Sequence, residues 1–301
     1  GANCVMHLGA RPVLVDVDPV TLNAGPAQFE SAITENTSVI MPVHYAGRPC
    51  DMEGVMELAR SRGVRVLGDA AHAMGAAYAD DRKVGTKADA TSFSFYVTKG
   101  ITTGEGGMLT SADVELVERV AVLSLHGMST GAWNRYSEKG SWYYEVVAAG
   151  HKYNMNDIQA AIGLHQIRKV DIFRERRQEL ADIYRQGFER MDAVSTPRDC
   201  GGCTHAWHLY PIELDTSALR VDRDAFLKAL TEEGVGTSVH FIPVHYHRFY
   251  RERLGYERGS FPVTERFFER AVSLPIYPSM TDEDAADVVS AVTKLVRHYK
   301  R

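Results

Sequence analysis

The sequence has no apolar run long enough to cross a bilayer; its most apolar stretches are short and broken by polar residues. Cysteine is scarce. Cys4, Cys50, Cys200 and Cys203 are the only four, too few and too scattered for the disulfide framework of a small secreted domain. An excess of basic charge is missing as well. The 34 Lys and Arg are set against 39 Asp and Glu, a formal charge of -5 with the signs mixed along the chain. That leaves no electrostatic footprint for nucleic acid or an anionic membrane. No internal repeat or low-complexity segment occurs, and Gly1 to Leu8 carry neither an initiator methionine nor a signal-peptide charge pattern. The expectation is a cytoplasmic chain that begins inside a domain.

What is present is enough for a real core: 45% hydrophobic and 24% charged residues over 301 positions, a length that favours one large lobe and one small one. Cys200-Gly-Gly-Cys203 has the spacing of half a zinc site, but no second close Cys or His pair accompanies it. The reading there is a loop, with no metal.

Short β-rich runs alternate with helical patterns from the start. Strand candidates are Pro12 to Val17, Ser38 to His44, Val64 to Leu67, Ala88 to Phe95 and Gly107 to Thr110; helix candidates are Gln28 to Ile33 and Met52 to Ser61. That rhythm, with strands that are nearly continuous apolar stretches, predicts an α/β fold whose mostly parallel sheet is covered on both faces. From Asn156 to Met191 the pattern is helical, one long helix or a broken pair, with Asn156 as its N-cap. Pro197 to Thr204 reads as a loop. A smaller α+β lobe follows, with strands over Ala206 to Ile212 and Thr237 to Phe241 and helices over Asp224 to Glu233 and Asp282 to Tyr299. The division expected is a large domain over residues 1–190 and a small one over 191–301.

Two clusters carry chemistry. In Val64-Arg-Val-Leu-Gly-Asp-Ala-Ala-His72 a buried strand ends in an acid and then a histidine, at the carboxyl end where open α/β sheets bind ligands. Asp69 either caps the next helix or pairs with a protonated pyridine nitrogen and holds the ring as an electron sink. The second cluster runs from Ser92 to Gly107, a strand leading into a hydroxyl- and glycine-rich turn with one lysine. Lys99, fixed there and partly desolvated, is suited to an imine with an aldehyde cofactor, and Ser94 to a phosphate. An electron sink and a covalent lysine are the two halves of what pyridoxal phosphate (PLP) chemistry needs.

Asp69-Ala-Ala-His-Ala-Met-Gly75, Ser94-Phe-Tyr-Val-Thr-Lys99, Thr102-Thr-Gly-Glu-Gly-Gly107, His126-Gly-Met128 and Lys152-Tyr-Asn-Met-Asn-Asp-Ile-Gln-Ala-Ala161 together resemble the DegT/DnrJ/StrS family of sugar-nucleotide aminotransferases. His205-Ala-Trp-His-Leu-Tyr210, Val239-His-Phe-Ile-Pro243 and Tyr250-Arg-Glu-Arg253 resemble its C4-aminating branch, which works in surface-polysaccharide and lipid A modification. The resemblance implies a PLP-dependent transferase of fold type I, a homodimer with shared active sites, and a keto sugar nucleotide and an amino-acid donor, glutamate, as substrates. By motif, Lys99 bonds the cofactor covalently, Asp69 pairs with the pyridine nitrogen, His72 lies beside the ring and Ser94 contacts the phosphate. Lys152 or Asn154 reaches the neighbour's phosphate site. His126, Tyr136, His208, His240 and Arg251 are candidates for donor or sugar contacts. Trp207 and Phe241 are read as packing residues of the second lobe.

The family's usual His and Asn are replaced by Tyr96 and Gly100 beside the lysine, and Gly1 aligns after an N-terminal segment that in relatives adds cofactor contacts. Two rivals remain: a PLP sugar dehydratase, whose known members carry histidine in place of the lysine, and a noncatalytic relative. Lys99 with Asp69 argues against both.

Overall fold

The computed structural model describes residues 1–129 and 143–301 of the chain. Tyr136 lies outside them. A central sheet of four strands has the order β1-β2-β3-β4, made of Val39–Ile40, Arg65–Asp69, Ala90–Ser94 and Gly107–Thr110. The first three run parallel, and β4 closes the edge antiparallel to β3 with Ser94 opposite Gly107. The fold is therefore α/β with a mixed, mostly parallel sheet, as the alternating pattern predicts.

Helix α1 is Ala2–His7, α2 Pro26–Glu30 and α3 Met52–Arg62. Asp51 caps α3 by accepting from the Gly54 N–H, and Gly63 ends it in the left-handed region. The buried face of α3, Met52, Val55, Met56 and Ala59, meets Ile40 and Val66 of the sheet in the first core.

Helix α4 is Val114–Ser124, and the 156–191 pattern resolves into a pair, α5 Asp157–Ile167 and α6 Val170–Phe188. Asn156 caps α5 reciprocally with Gln159, which satisfies two otherwise orphaned donors. The second sheet, antiparallel, joins β5 Val194–Ser195, β6 Tyr210–Leu214 and β7 Ala271–Leu274. Around it lie α7 Arg223–Glu232, α8 Arg248–Leu254, α9 Pro262–Arg270 and α10 Asp282–Tyr299. The apolar faces of α7 and α10 form a second core with Leu180, Tyr184 and Phe188 of α6.

Two strand expectations fail for one reason: their backbone groups bond elsewhere. Pro12 to Val17 is extended without a ladder. The Asp16 carboxylate there accepts from the Val263 and Thr264 N–H groups at the start of α9, and the Leu14 N–H reaches the Tyr256 hydroxyl. The segment is a strap onto the second lobe. Thr237 to Phe241 keeps one bridge, Ser238 to Ser273, and then turns toward the first lobe, where the Tyr45 hydroxyl donates to the His240 carbonyl at 2.6 Å. Cys200 and Cys203 are joined as a disulfide across their turn. No helix among the described residues is long and apolar enough to cross a membrane.

Candidate active site

Strand β2 carries the chain into the sheet's carboxyl edge and releases it at Asp69. The Asp69 N–H donates to the Pro42 carbonyl at 2.8 Å and its own carbonyl accepts from His44, so the backbone is held on both sides. One carboxylate oxygen accepts from the Ala71 N–H at 3.0 Å, the local turn bond that the capping reading asked for, and the other oxygen has no such bond. His72 follows in that turn.

Strand β3 delivers the second half. After Ser94, whose hydroxyl accepts from the Tyr96 N–H at 3.3 Å, the chain turns and the Lys99 N–H donates to the Tyr96 carbonyl. The glycine-rich stretch then folds back on itself. Thr102 donates to the Phe95 carbonyl and Thr103 to that of Glu105, and a Cβ at Gly106 would collide with the Thr103 hydroxyl. From outside, the Gln159 and Gln166 side chains of α5 bond this turn at Glu105 and Thr102. The lysine thus sits on a clamped backbone.

His208 is brought in by an unusual crossing. Residues Ala46 and Gly47 accept from His208 and Ala206. A side chain at Gly47, φ +99°, would meet the His72 carbonyl and the Ala206 methyl at 2.9 Å. Ala46 and Trp207 hold φ of 56° and 47°, a left-handed conformation that costs a non-glycine residue on the order of 1–3 kcal/mol. The outcome is a His72–His208 ring contact at 4.4 Å.

Lys99, Gly100 and His208 line a cavity of about 770 Å³ together with His240, Arg177 and Ser273. Asp69 and His72 do not line it, although His72 contacts His208 of its wall and both interact electrostatically with Lys99. Burial pushes the Lys99 ammonium below its ordinary value while the Asp69 carboxylate pulls it back. Burial, Lys99 and His240 push His72 down to about 3. Burial, then His72, Lys99 and Arg177, push His208 to about 2. Both imidazoles are neutral at pH 7, and the Nδ1 of each is buried without a hydrogen-bond partner among the described residues. His240 Nδ1 lies 2.8 Å from the Ser273 hydroxyl.

The structure therefore unites Lys99, Asp69, His72, His208 and His240, with Ser94 at the strand end just before the lysine's turn. It gathers His126, Lys152 and Asn154 elsewhere. The His126 N–H donates to the His151 carbonyl at 2.7 Å, and Lys152 bonds the Asn154 side chain. His126 and Lys152 are exposed, as is Arg251 on α8, and none of the four lines the cavity. Trp207 packs on the second core and stacks on His205 at 3.9 Å, in line with its packing reading. Phe241 does not: it is 56% exposed, with its ring 5.9 Å from His72, because the segment bearing it leaves the second sheet. Sequence reasoning missed Arg177, Tyr45 and Ser273. Arg177 had a visible signal, since it occupies the apolar phase of α6 shared by Leu180, Tyr184 and Phe188.

A lysine with a depressed pKa beside a carboxylate and two unpartnered neutral imidazoles suits an aldehyde cofactor with a protonated ring nitrogen. The residues present fit PLP. The chain matches the DegT/DnrJ/EryC1/StrS aminotransferase family over residues 1–293, and it belongs to that family of PLP-dependent sugar aminotransferases. It is 51% identical to an uncharacterized protein of Methanocaldococcus jannaschii over 294 residues, 98% of this chain and 76% of that protein. It is 48% identical to the spore coat polysaccharide biosynthesis protein SpsC of Bacillus subtilis over 297 residues, again 98% and 76%.

Among solved structures it is similar to the aminotransferase TlmJ of Streptoalloteichus hindustanus, with TM-score 0.88 and 34% identity over 99% of this chain and 76% of that one. It is also similar to Helicobacter pylori PseC, an aminotransferase of pseudoaminic acid biosynthesis, with TM-score 0.91 and 28% identity over 99% and 77%. Fold type I follows from these neighbours and from the mixed sheet.

Proposed function

We propose that this chain transfers an amino group from glutamate to the C4 keto group of a nucleotide-linked sugar, using PLP held at Lys99, in a cytoplasmic pathway of surface polysaccharide or lipopolysaccharide synthesis. The observation that carries the reading is the half-buried Lys99 ammonium on the cavity wall, lowered by desolvation and countered by the Asp69 carboxylate. When bound, the cofactor supplies an electron sink for negative charge that develops at the donor's Cα.

This chain's residues do the rest. Lys99 is the covalent anchor, and its Nζ, with a lowered proton affinity, takes the proton from the donor's Cα. Asp69, tied to Ala71 through one oxygen, leaves the other for a ring N–H; His72 lies beside the ring and Ser94 offers its hydroxyl to the phosphate. His208 and His240, neutral on the cavity wall, serve donor or sugar contacts. His126, Tyr136 and Arg251 belong to the same proposal as substrate contacts, and Lys152 or Asn154 as the contact to a neighbour's phosphate. The active unit is a homodimer. The exposed positions of His126 and Lys152, with the half-buried Asn154 bonded to Lys152, suit residues that act across such an interface. The division into a large domain over 1–190 and a small one over 191–301 is part of the reading, with α6 giving its buried face to the smaller domain's core.

The test is the visible spectrum of the purified protein with PLP beside Lys99→Ala. A borohydride-reducible band present only with Lys99 is the expected result; its absence in both sinks the reading. A panel of 4-keto and 3-keto sugar nucleotides with glutamate then decides the position, and turnover of 3-keto substrates alone would overturn C4.

A further inference from the structure

Helix α6 contains a run of arginines, and all but one have an acid. Arg174 pairs with Glu175 at 3.1 Å, Arg176 with Glu179 and Asp282 at 2.7 Å, and Arg185 with Asp182 at 2.6 Å. Arg177 is the exception. It is 6% exposed, makes no ion pair among the described residues, and its Nε has no hydrogen-bond partner. The acids nearest in sequence are engaged by its neighbours.

Its surroundings offer no substitute. The cavity that Arg177 lines also holds Lys99 and Gly100 and, among the described residues, no Asp or Glu; its other polar side chains are uncharged, being hydroxyls, Gln166 and the neutral His208 and His240. A buried guanidinium without a counter-ion costs several kcal/mol relative to a paired one. Burial lowers Arg177 to about 10, which still leaves it charged at pH 7. A charge kept at that cost beside an empty volume calls for an anion from outside.

We infer that Arg177 is the carboxylate anchor for the amino-acid donor, a subsite at the back of the cavity that orients the donor's amino group toward Lys99. The assignment rests on the cavity being the site of amino transfer. A carboxylate fits better than a diphosphate on charge count. The planar fork of a single guanidinium matches two carboxylate oxygens, and the apolar wall of Phe173, Leu209 and Ile276 would not offset a second negative charge.

Calorimetric titration of cofactor-free protein with glutarate, a dicarboxylate that has no amine to react, reads the subsite directly, with uridine diphosphate titrated in parallel. Glutarate should bind wild type saturably and weaken about 10- to 100-fold in Arg177→Gln, the range for losing a charged hydrogen-bonded partner, while uridine diphosphate affinity stays the same. Arg177→Lys, which keeps the charge and loses the fork, provides a second reading should the glutamine variant fail to fold. It should weaken glutarate several-fold. Unchanged glutarate affinity in either folded variant overturns the assignment. So does absence of binding to wild type, and so does loss of uridine diphosphate binding in its place. The proposed activity fails separately, by the missing PLP band.

Discussion

Two helices follow one another with only Arg168 and Lys169 between them, and they are opposites. α6 buries Arg177, Leu180, Ala181, Tyr184 and Phe188. α5 buries nothing, and leaves Ile158, Ile162, Leu164 and Ile167 between 43% and 76% exposed. Both are apolar enough to be core helices by sequence. Among the described residues α6 finds its cover and α5 finds none, although its Gln159 and Gln166 bond the turn that follows Lys99. An amphipathic pattern states that a face will be covered and not by which chain. On this comparison α6 supports the fold and the cavity wall, and α5 holds the lysine's turn and presents its apolar side chains outward.

The largest effect expected is on Lys99 itself. Lys99→Ala should abolish the borohydride-reducible band and all amino transfer while leaving the melting temperature close to wild type, since the side chain is half-buried and makes no hydrogen bond in the fold. A large drop in melting temperature would mean that the lysine is structural. Next comes the buried side of the comparison. Leu180, fully buried in the second core, should cost about 2–5 kcal/mol of unfolding free energy as Leu180→Ala, read by denaturant titration. A cost under about 1 kcal/mol would mean that α6 is not the anchor described.

Acid should act on histidines buried outside that core. His44 and His205 are buried and pushed to about 4 and about 3, His44 by burial and His205 by burial and Arg48. An unfolded imidazole titrates near 6.5. Between those values the unfolded chain binds protons that the native state excludes, so stability is complete above about pH 6.5 and falls as pH drops toward 4. Each such group contributes a slope of up to ~1.4 kcal/mol per pH unit. Denaturant midpoints at pH 7.5, 6 and 5 should decline in that order, and His44→Gln should flatten the decline. A flat profile from pH 7.5 to 5 contradicts neutral buried histidines.

The mostly parallel sheet and the placing of Asp69 and Lys99 after its strands were legible because they rest on local signals: apolar strands, turn glycines, an acid and a lysine each at a strand end. Pro12 to Val17 and Thr237 to Phe241 misled because period and β-propensity do not report which partners a segment bonds: the Leu14 N–H goes to the Tyr256 hydroxyl, the Asp16 carboxylate accepts from α9, and the His240 carbonyl accepts from Tyr45. His208 was named, but its approach to His72 depends on left-handed Ala46 and Trp207, which no composition rule marks. Arg177 was overlooked though its phase on α6 was readable. A charge on an apolar stripe is usually set aside as a solvated neighbour, and only burial shows otherwise.

The smallest effect on folding, and the sharpest test of the comparison, is expected on α5. Ile158 and Leu164 are 76% and 65% exposed, so Ile158→Asp with Leu164→Asp removes little that the single chain buries. Monomer unfolding free energy should change by no more than about 0.5 kcal/mol per site, the usual range for surface substitutions. The same pair of carboxylates placed in a two-fold interface would face their own copies, uncompensated and desolvated. Light scattering should therefore give a dimer mass for wild type and a monomer mass for the double variant. Loss of the dimer together with the PLP band, at unchanged monomer stability, would tie cofactor retention to the partner and to the His126, Lys152 and Asn154 group. A wild type that is already monomeric, or a double variant that stays dimeric, would place the cover of α5 elsewhere and undo the contrast between the two helices.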